Sequence, residues 1–256
     1  MADLKELKDF IKEGEKEFLP HVSLDCVVLG FHENELKVLL LKMKQGEQWS
    51  LAGGFIRKDE PVDKEAYRVL KERTGLNDIF LQQFHLFGNP GRSDKKFWTE
   101  WFLKRGLGHS ENWLTQRFVT VGYYALVEYS QVSPKPDSLS DACRWFDLRQ
   151  LPPLIMDHSQ IIQKAIDTVR LQLNYQPIGY NLLPKKFTMP QLQKLYETVL
   201  DRSLDRRNFQ RRILGYGILR RLKERKKGGA HKAPYLYSFD LRKYHNALKD
   251  GLQGGW

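Results

Sequence analysis

Cysteine is scarce in this chain, long apolar runs are missing, and no repeat or low-complexity tract interrupts it. Two cysteines in 256 residues exclude a disulfide scaffold. Cys26 opens the apolar run CVVLGF and Cys143 closely precedes Trp145, so both read as small, reduced core residues. No apolar stretch reaches the roughly 18 residues that a membrane span requires. The N-terminus, MADLKELKDFIKEGEKEF, is charged throughout where a secretory leader would be apolar. These absences predict a cytoplasmic protein with no membrane partner. What is present is 41% apolar residues, over a length that suits one large domain or two ordinary ones.

Charge is unevenly spread. From residue 176 onward 18 Lys and Arg stand against 6 Asp and Glu, whereas the preceding 175 residues hold 24 against 25. The whole excess behind the net charge of +11 therefore lies in the last third of the chain. Such asymmetry implies two functional parts, one of them facing a polyanion such as nucleic acid.

The pattern along the chain agrees with that division. Residues 1–21 suit one exposed amphipathic helix, with Leu4, Leu7, Phe10 and Ile11 on one face and Pro20 ending it. LDCVVLGF and LKVLLLKM, separated by HENE, read as a hairpin or as neighbouring strands. Trp49 to Phe55 passes from strand to turn, with Gly53 and Gly54 supplying backbone freedom. From Asp63 to Arg73 the pattern is helical: Ala66, Val69 and Leu70 share a face and Gly75 stands at the C-cap. IFLQQFHLFG, FVTVGYYALVEY and CRWFDL read as strands, and DHSQIIQKAIDTVRLQL as a helix capped by Asp157 or Ser159. Residues 93–117 hold three Trp and two Phe and are long for a loop, which predicts one or two short helices that cover something.

Residues 175–187 carry Pro177 and Pro184 with no sustained period and mark a junction. Beyond it, residues 188–250 give the order helix, turn, helix, basic hairpin of a winged helix-turn-helix. The first helix has Thr188 as N-cap and Pro190 in its first turn; the second is capped by Asp205 and stopped by Gly215 or Gly217. That second helix carries Arg206, Arg207, Asn208, Gln210, Arg211 and Arg212, with Phe209, Ile213 and Leu214 as its apolar side. Arg and Asn or Gln are the side chains that contact guanine and adenine edges bidentately in the major groove. Lys226, Lys227 and Lys232, around Gly228 and Gly229, supply cations to a wing beside the phosphates. A double-stranded DNA operator is the expected partner. One short helix reads few bases, so a homodimer on paired half-sites is expected as well.

Residues 54–76 match the Nudix box: Gly54, Glu60, Arg68, Leu70, Glu72, Gly75 and Leu76 all fall in register. The resemblance implies the Nudix α/β/α sandwich over residues 22–174, hence an α+β chain with a C-terminal winged helix-turn-helix. Two positions depart from the family's pattern. Where active members carry three metal-binding Glu on one helix face, this chain has Val69, Glu72 and Arg73. That set's formal charge is zero instead of −3, and a divalent cation needs hard anionic oxygens. No metal and no cofactor are therefore expected, and the domain reads as catalytically dead. The expected role is instead an effector pocket lined by Arg57, Arg68, Glu72 and Arg73, with Phe87, Arg92 and Tyr123 on the facing strand and loop.

A Nudix-like domain followed by this module resembles the Nudix-related transcriptional regulators of bacteria. The resemblance implies a DNA-binding regulator responding to an ADP-ribose-like ligand or a pentose, and controlling genes of NAD metabolism or sugar catabolism. The rival reading is an active, Mg²⁺-dependent Nudix pyrophosphohydrolase with a nucleic-acid-binding appendage, for which Glu60 and Glu72 are the minimum remaining carboxylates. A dead Nudix domain on an RNA-binding or scaffold protein is the third.

Overall fold

A computed structural model describes residues 2–44, 46–75, 80–92, 95–107, 112–136, 140–173, 175–177, 179–226 and 233–251. The hairpin at HENE is present. Strands β1 (Phe18–His32) and β2 (Glu35–Met43) are joined by Glu33 and Asn34, at φ 50° and 65°. A two-residue turn between right-twisted strands demands that left-handed backbone. With β3 (Trp49–Ser50), β4 (Ala52–Arg57), β5 (Phe80–Phe87), β6 (Val119–Val127) and β7 (Ser140–Asp147) they form a seven-stranded sheet. Its order is β3-β2-β1-β6-β5, with β4 pairing antiparallel on β1 and β7 pairing on β2.

Two compact units divide the chain: Met1–Val28 with Val38–Ala125 and Val132–Ala165, and Leu29–Lys37 with Leu126–Gln131 and Ile166–Trp256. In the first, helix α1 (Ala2–Glu17) stops three residues before Pro20. Phe18 already enters the sheet opposite Arg57 and packs its ring against Phe10, Phe55 and Trp113. Trp113 Nε1 donates to the Ile11 carbonyl at 3.0 Å. Gly14 passes the same indole so closely that a Cβ there would lie 2.3 Å from Cζ2. Glycine is what lets the helix lie this near. The segment 93–117 does hold short helices, α3 (Lys95–Leu103) and a 3-10 turn, Trp113–Thr115, capped by Asn112. Trp101, Phe102, Trp113 and Leu114 bury themselves with Phe18, Met43, Phe118 and Ile155 in one aromatic cluster.

Helix α2 (Val62–Thr74) follows β4 and ends at Gly75, φ 74°, whose N–H bonds the Lys71 carbonyl. Gly53 and Gly54 are glycines for closeness and not for freedom, because neither has positive φ. A Cβ at Gly53 would lie 2.7 Å from Asp25 Oδ1 and 2.9 Å from the Leu24 carbonyl; one at Gly54 would lie 3.0 Å from Val69 Cγ2. Helix α4 (His158–Gln172) begins just after Asp157, whose carboxylate is drawn away to Arg92. Cys26 is fully buried and Cys143 half-buried, and neither is in a disulfide.

In the second unit β8 (Phe187–Thr188), β10 (Tyr235–Phe239) and β9 (Leu219–Arg225) make a three-stranded sheet in that order. Helix α5 (Met189–Leu200) opens with a capping box of Thr188 and Gln191 and has Pro190 in its first turn. In helix α6 (Arg206–Gly215) the Asp205 side chain accepts from the Asn208 N–H; Gly217, φ 65°, carries the turn that follows. Phe209 and Ile213 are buried, Phe209 edge-on to Tyr196 at 5.4 Å, whereas Leu214, expected on the apolar side, is 40% exposed. A further helix, α7 (Leu241–Asp250), is capped by Asp240 and anchored by buried Tyr244. No helix among the described residues is long and apolar enough to cross a membrane.

Candidate functional site

The box residues make a charge network. Glu60 pairs with Lys64 at 2.7 Å and not with Arg68. Arg68 donates from Nε to Glu65 Oε2 at 2.8 Å and from Nη1 to Glu72 Oε1 at 2.9 Å. Glu65 is 1% exposed and also accepts from Arg57 Nη1 at 3.4 Å. Glu72 Oε2 lies 3.7 Å from Arg73 Nη1. Of the three positions where metal-binding carboxylates would stand, Val69 is buried, Glu72 is bracketed by two guanidinium groups and Arg73 is itself a cation. This donor set does not fit a divalent metal ion. Among the described residues, no group of three or more His, Cys, Asp or Glu is placed to hold one. Leu76 lies outside the described residues.

Beside the box is a cavity of about 310 Å³. One wall is polar and carries Arg57, Arg68, Glu72 and Arg73; Gly53, Gly54 and Val69 form the adjoining strand and helix face. Another wall is aromatic, with Phe10 from α1, Phe18 and Phe55 from the sheet, and Trp98 and Phe118. The aromatic segment 93–117 therefore helps to enclose the cavity. Phe87 and Tyr123 are not among the lining residues. Phe87 packs on Phe84 and against Gly122, where a Cβ would meet its ring at 2.7 Å. Tyr123 points its hydroxyl to Asp63 Oδ1 at 2.5 Å, and burial, then that carboxylate, pushes its phenol well above the usual range.

A buried polar cluster in the same cavity escaped sequence reasoning. Arg92 donates from Nε to Asp157 Oδ2 at 3.0 Å, and from Nη2 to Asp157 Oδ1 at 3.2 Å and Asp25 Oδ2 at 3.3 Å. His158 accepts the Leu51 N–H on Nδ1 at 2.9 Å, which leaves the ring proton on Nε2, 3.7 Å from Asp25 Oδ1. Burial holds His158 below its ordinary 6.5, with Arg92 adding to that and Asp25 and Asp157 opposing it. The unfolded chain thus takes up a proton below pH 6.5 that the folded chain refuses, so stability falls as pH drops through that window. His158→Asn keeps an acceptor for Leu51. It is expected to flatten the fall in unfolding free energy, read from urea titrations, as pH drops below 6.5, by up to about 1.4 kcal/mol per pH unit. Identical slopes in both proteins would show that His158 is not held neutral.

The basic face is equally concrete. Arg206, Arg207, Asn208 and Arg211 are exposed on α6, and Arg211 Nη2 donates to Asn208 Oδ1 at 3.2 Å. Gln210 and Arg212 are half-buried, turned toward the flank of the helix. On the hairpin, Arg221 and Arg225 lie over the Tyr235 ring at 4.8 and 4.1 Å, and Lys226 is exposed where β9 ends. Lys227 and Lys232 fall outside the described residues.

Comparison with known proteins joins the two parts. Residues 19–166 match the model of the NUDIX domain, and residues 179–239 match that of the NrtR DNA-binding winged helix domain. The chain belongs to the Nudix-related transcriptional regulators. One such regulator, "ADPR responsive transcriptional repressor NtrR" of Acinetobacter baylyi, is 27% identical over 88% of this chain and 84% of its own length. Another, NrtR of Shewanella oneidensis in complex with a 27mer DNA, superposes with a TM-score of 0.70 at 26% identity, covering 88% of this chain and 95% of that one. An ADP-ribose pyrophosphatase of Methanocaldococcus jannaschii is 25% identical over 56% of this chain and 72% of its own.

Proposed function

We propose that this family member is a transcriptional repressor whose operator affinity is set by an ADP-ribose-like ligand in the Nudix cavity, bound and not hydrolysed. The observation that carries the reading is the conjunction, in one chain, of a cavity rich in arginine and aromatic rings with a capped helix exposing Arg206, Arg207, Asn208 and Arg211. The likeness to an ADPR-responsive repressor supports ADP-ribose over a pentose, and with it control of NAD metabolism over sugar catabolism. Val69 and Arg73 at the metal positions support binding without turnover, as a sensor that must not consume its signal requires. By linkage, a ligand that favours the DNA-free arrangement weakens DNA binding by the same factor that DNA weakens ligand binding. A homodimer on paired half-sites is the active form, since one helix of this length specifies too few base pairs.

The test uses duplexes selected by the protein from a random pool, with binding followed by fluorescence anisotropy at several salt concentrations. Arg207→Ala should cost about 1–3 kcal/mol on the selected site and far less on a scrambled one. ADP-ribose should shift the wild-type curve, and ADP-ribose incubated with Mg²⁺ or Mn²⁺ should persist. An unchanged ratio of selected to scrambled affinity would refute the recognition-helix assignment. Turnover near 1 s⁻¹, the lower end of ordinary enzymes, would place the chain with the hydrolases instead.

A further inference from the structure

One oxygen in the cavity is held open. Asp25 is 7% exposed and lines the cavity; its Oδ2 accepts from Arg92 at 3.3 Å, yet among the described residues no donor comes within hydrogen-bond distance of Oδ1. His158 Nε2 stops short at 3.7 Å. Gly53 keeps the space in front of that atom clear, because a Cβ there would lie 2.7 Å from it. Asp25 as a residue is 7% exposed, but this oxygen opens onto the cavity, so its vacant lone pairs are available to a hydroxyl or a water there.

The charges on either side say what sort of ligand supplies the hydroxyl. Arg92 is no anchor for an anion, since its Nε and Nη2 are engaged by Asp157 and Asp25. With His158 neutral, that end of the cavity holds two carboxylates against one guanidinium and repels a phosphate. The helix wall is opposite in sign: Arg57, Arg68 and Arg73 outnumber Glu65 and Glu72. We propose that Asp25 is a specificity-determining hydroxyl acceptor, and that the cavity takes a sugar phosphate ester with its neutral, hydroxylated ring on Asp25 and its anionic group toward Arg57, Arg68 and Arg73.

This rests on the cavity being the effector site, and three probes separate the two ideas: ADP-ribose, D-ribose and inorganic pyrophosphate, titrated calorimetrically into the full chain. In Asp25→Asn, Arg92 still demands an acceptor at Oδ2, so the amide NH₂ falls where Oδ1 was and a donor replaces the acceptor. ADP-ribose affinity should drop tenfold or more, the range for a hydrogen bond to a charged group. D-Ribose binding should be lost and pyrophosphate binding kept, while Arg73→Ala gives the reverse. If Asp25→Asn does not fold, Asp25→Ala, which removes the acceptor while both oxygens of Asp157 still hold Arg92, should show the same selective loss of ribose. Unchanged ADP-ribose and ribose affinity in the variant, or loss of pyrophosphate instead, would overturn the assignment of Asp25 alone. A wild-type protein that binds none of the three would overturn the effector reading and this proposal together.

Discussion

Arg92→Met should cost the first unit about 3–5 kcal/mol of stability, the penalty of leaving buried charge uncompensated. The Arg92 side chain is 3% exposed, and the carboxylates it holds, Asp25 and Asp157, are 10% and 11% exposed. Methionine fills much of the volume but neutralises neither. The two anions then face each other, and the Phe118 carbonyl, 3.5 Å from Nη1, loses its donor as well. Urea unfolding followed by tryptophan fluorescence measures this directly, since Trp49, Trp98, Trp101, Trp113 and Trp145 all lie in that unit. Adding Asp157→Asn to the same chain should restore part of the loss by removing one of the stranded charges. A loss under about 1 kcal/mol, the size of an ordinary surface effect, would show that the cluster does not depend on Arg92.

Phe209→Ala should be as severe in the other unit, about 3–5 kcal/mol for an aromatic ring deleted from a packed core. The ring is 2% exposed, meets Tyr196 edge-on and stands on the same helix as Arg206, Arg207 and Arg211. Its loss removes what seats α6, so, on the function proposed above, operator binding should fall sharply although the exposed Arg206, Arg207 and Arg211 remain. ADP-ribose binding should survive, because no residue lining the cavity belongs to that unit. Hydrogen exchange would show faster opening confined to that unit, Leu29–Lys37, Leu126–Gln131 and the residues from Ile166 onward. Equal loss of protection in both units would mean that they unfold as one.

Short-range signals were the legible ones. Gly75, Thr188 with Gln191, and Asp205 mark helix ends through contacts within a few residues, and each was readable in the sequence for that reason. The Nudix register likewise lies within 23 consecutive residues. The Asp25, Arg92, Asp157 and His158 cluster was not readable, because its hydrogen bonds span 65 and 67 positions and its members come from a strand, a turn and a helix start. Asp157 looked like a cap since acids before helices usually are; here a guanidinium outcompetes the backbone. Phe87 and Tyr123 were misplaced because alternation along a strand gives the face of a side chain and not its neighbour. Gly53 and Gly54 looked like a flexible turn, whereas the cause is crowding from Asp25, Leu24 and Val69, which no local pattern reveals. Helix α7 went unread although Asp240 is a proper cap and Leu241, Tyr244 and Leu248 stand at helical spacing.

The seating of α1 on Trp113 also sets a timetable for synthesis. Ile11 and Trp113 are 102 residues apart in the chain. At about 5–20 residues per second, a ribosome delivers the indole roughly 5–20 s after the helix that needs it. A 16-residue helix gains little stability on its own in water, so until Trp113 is made Phe10 has, among the described residues, only Phe18 and Phe55 as ring partners already in the chain. The aromatic wall of the cavity is closed only after β5 and α3 have been made, since Trp98 and Phe118 belong to it.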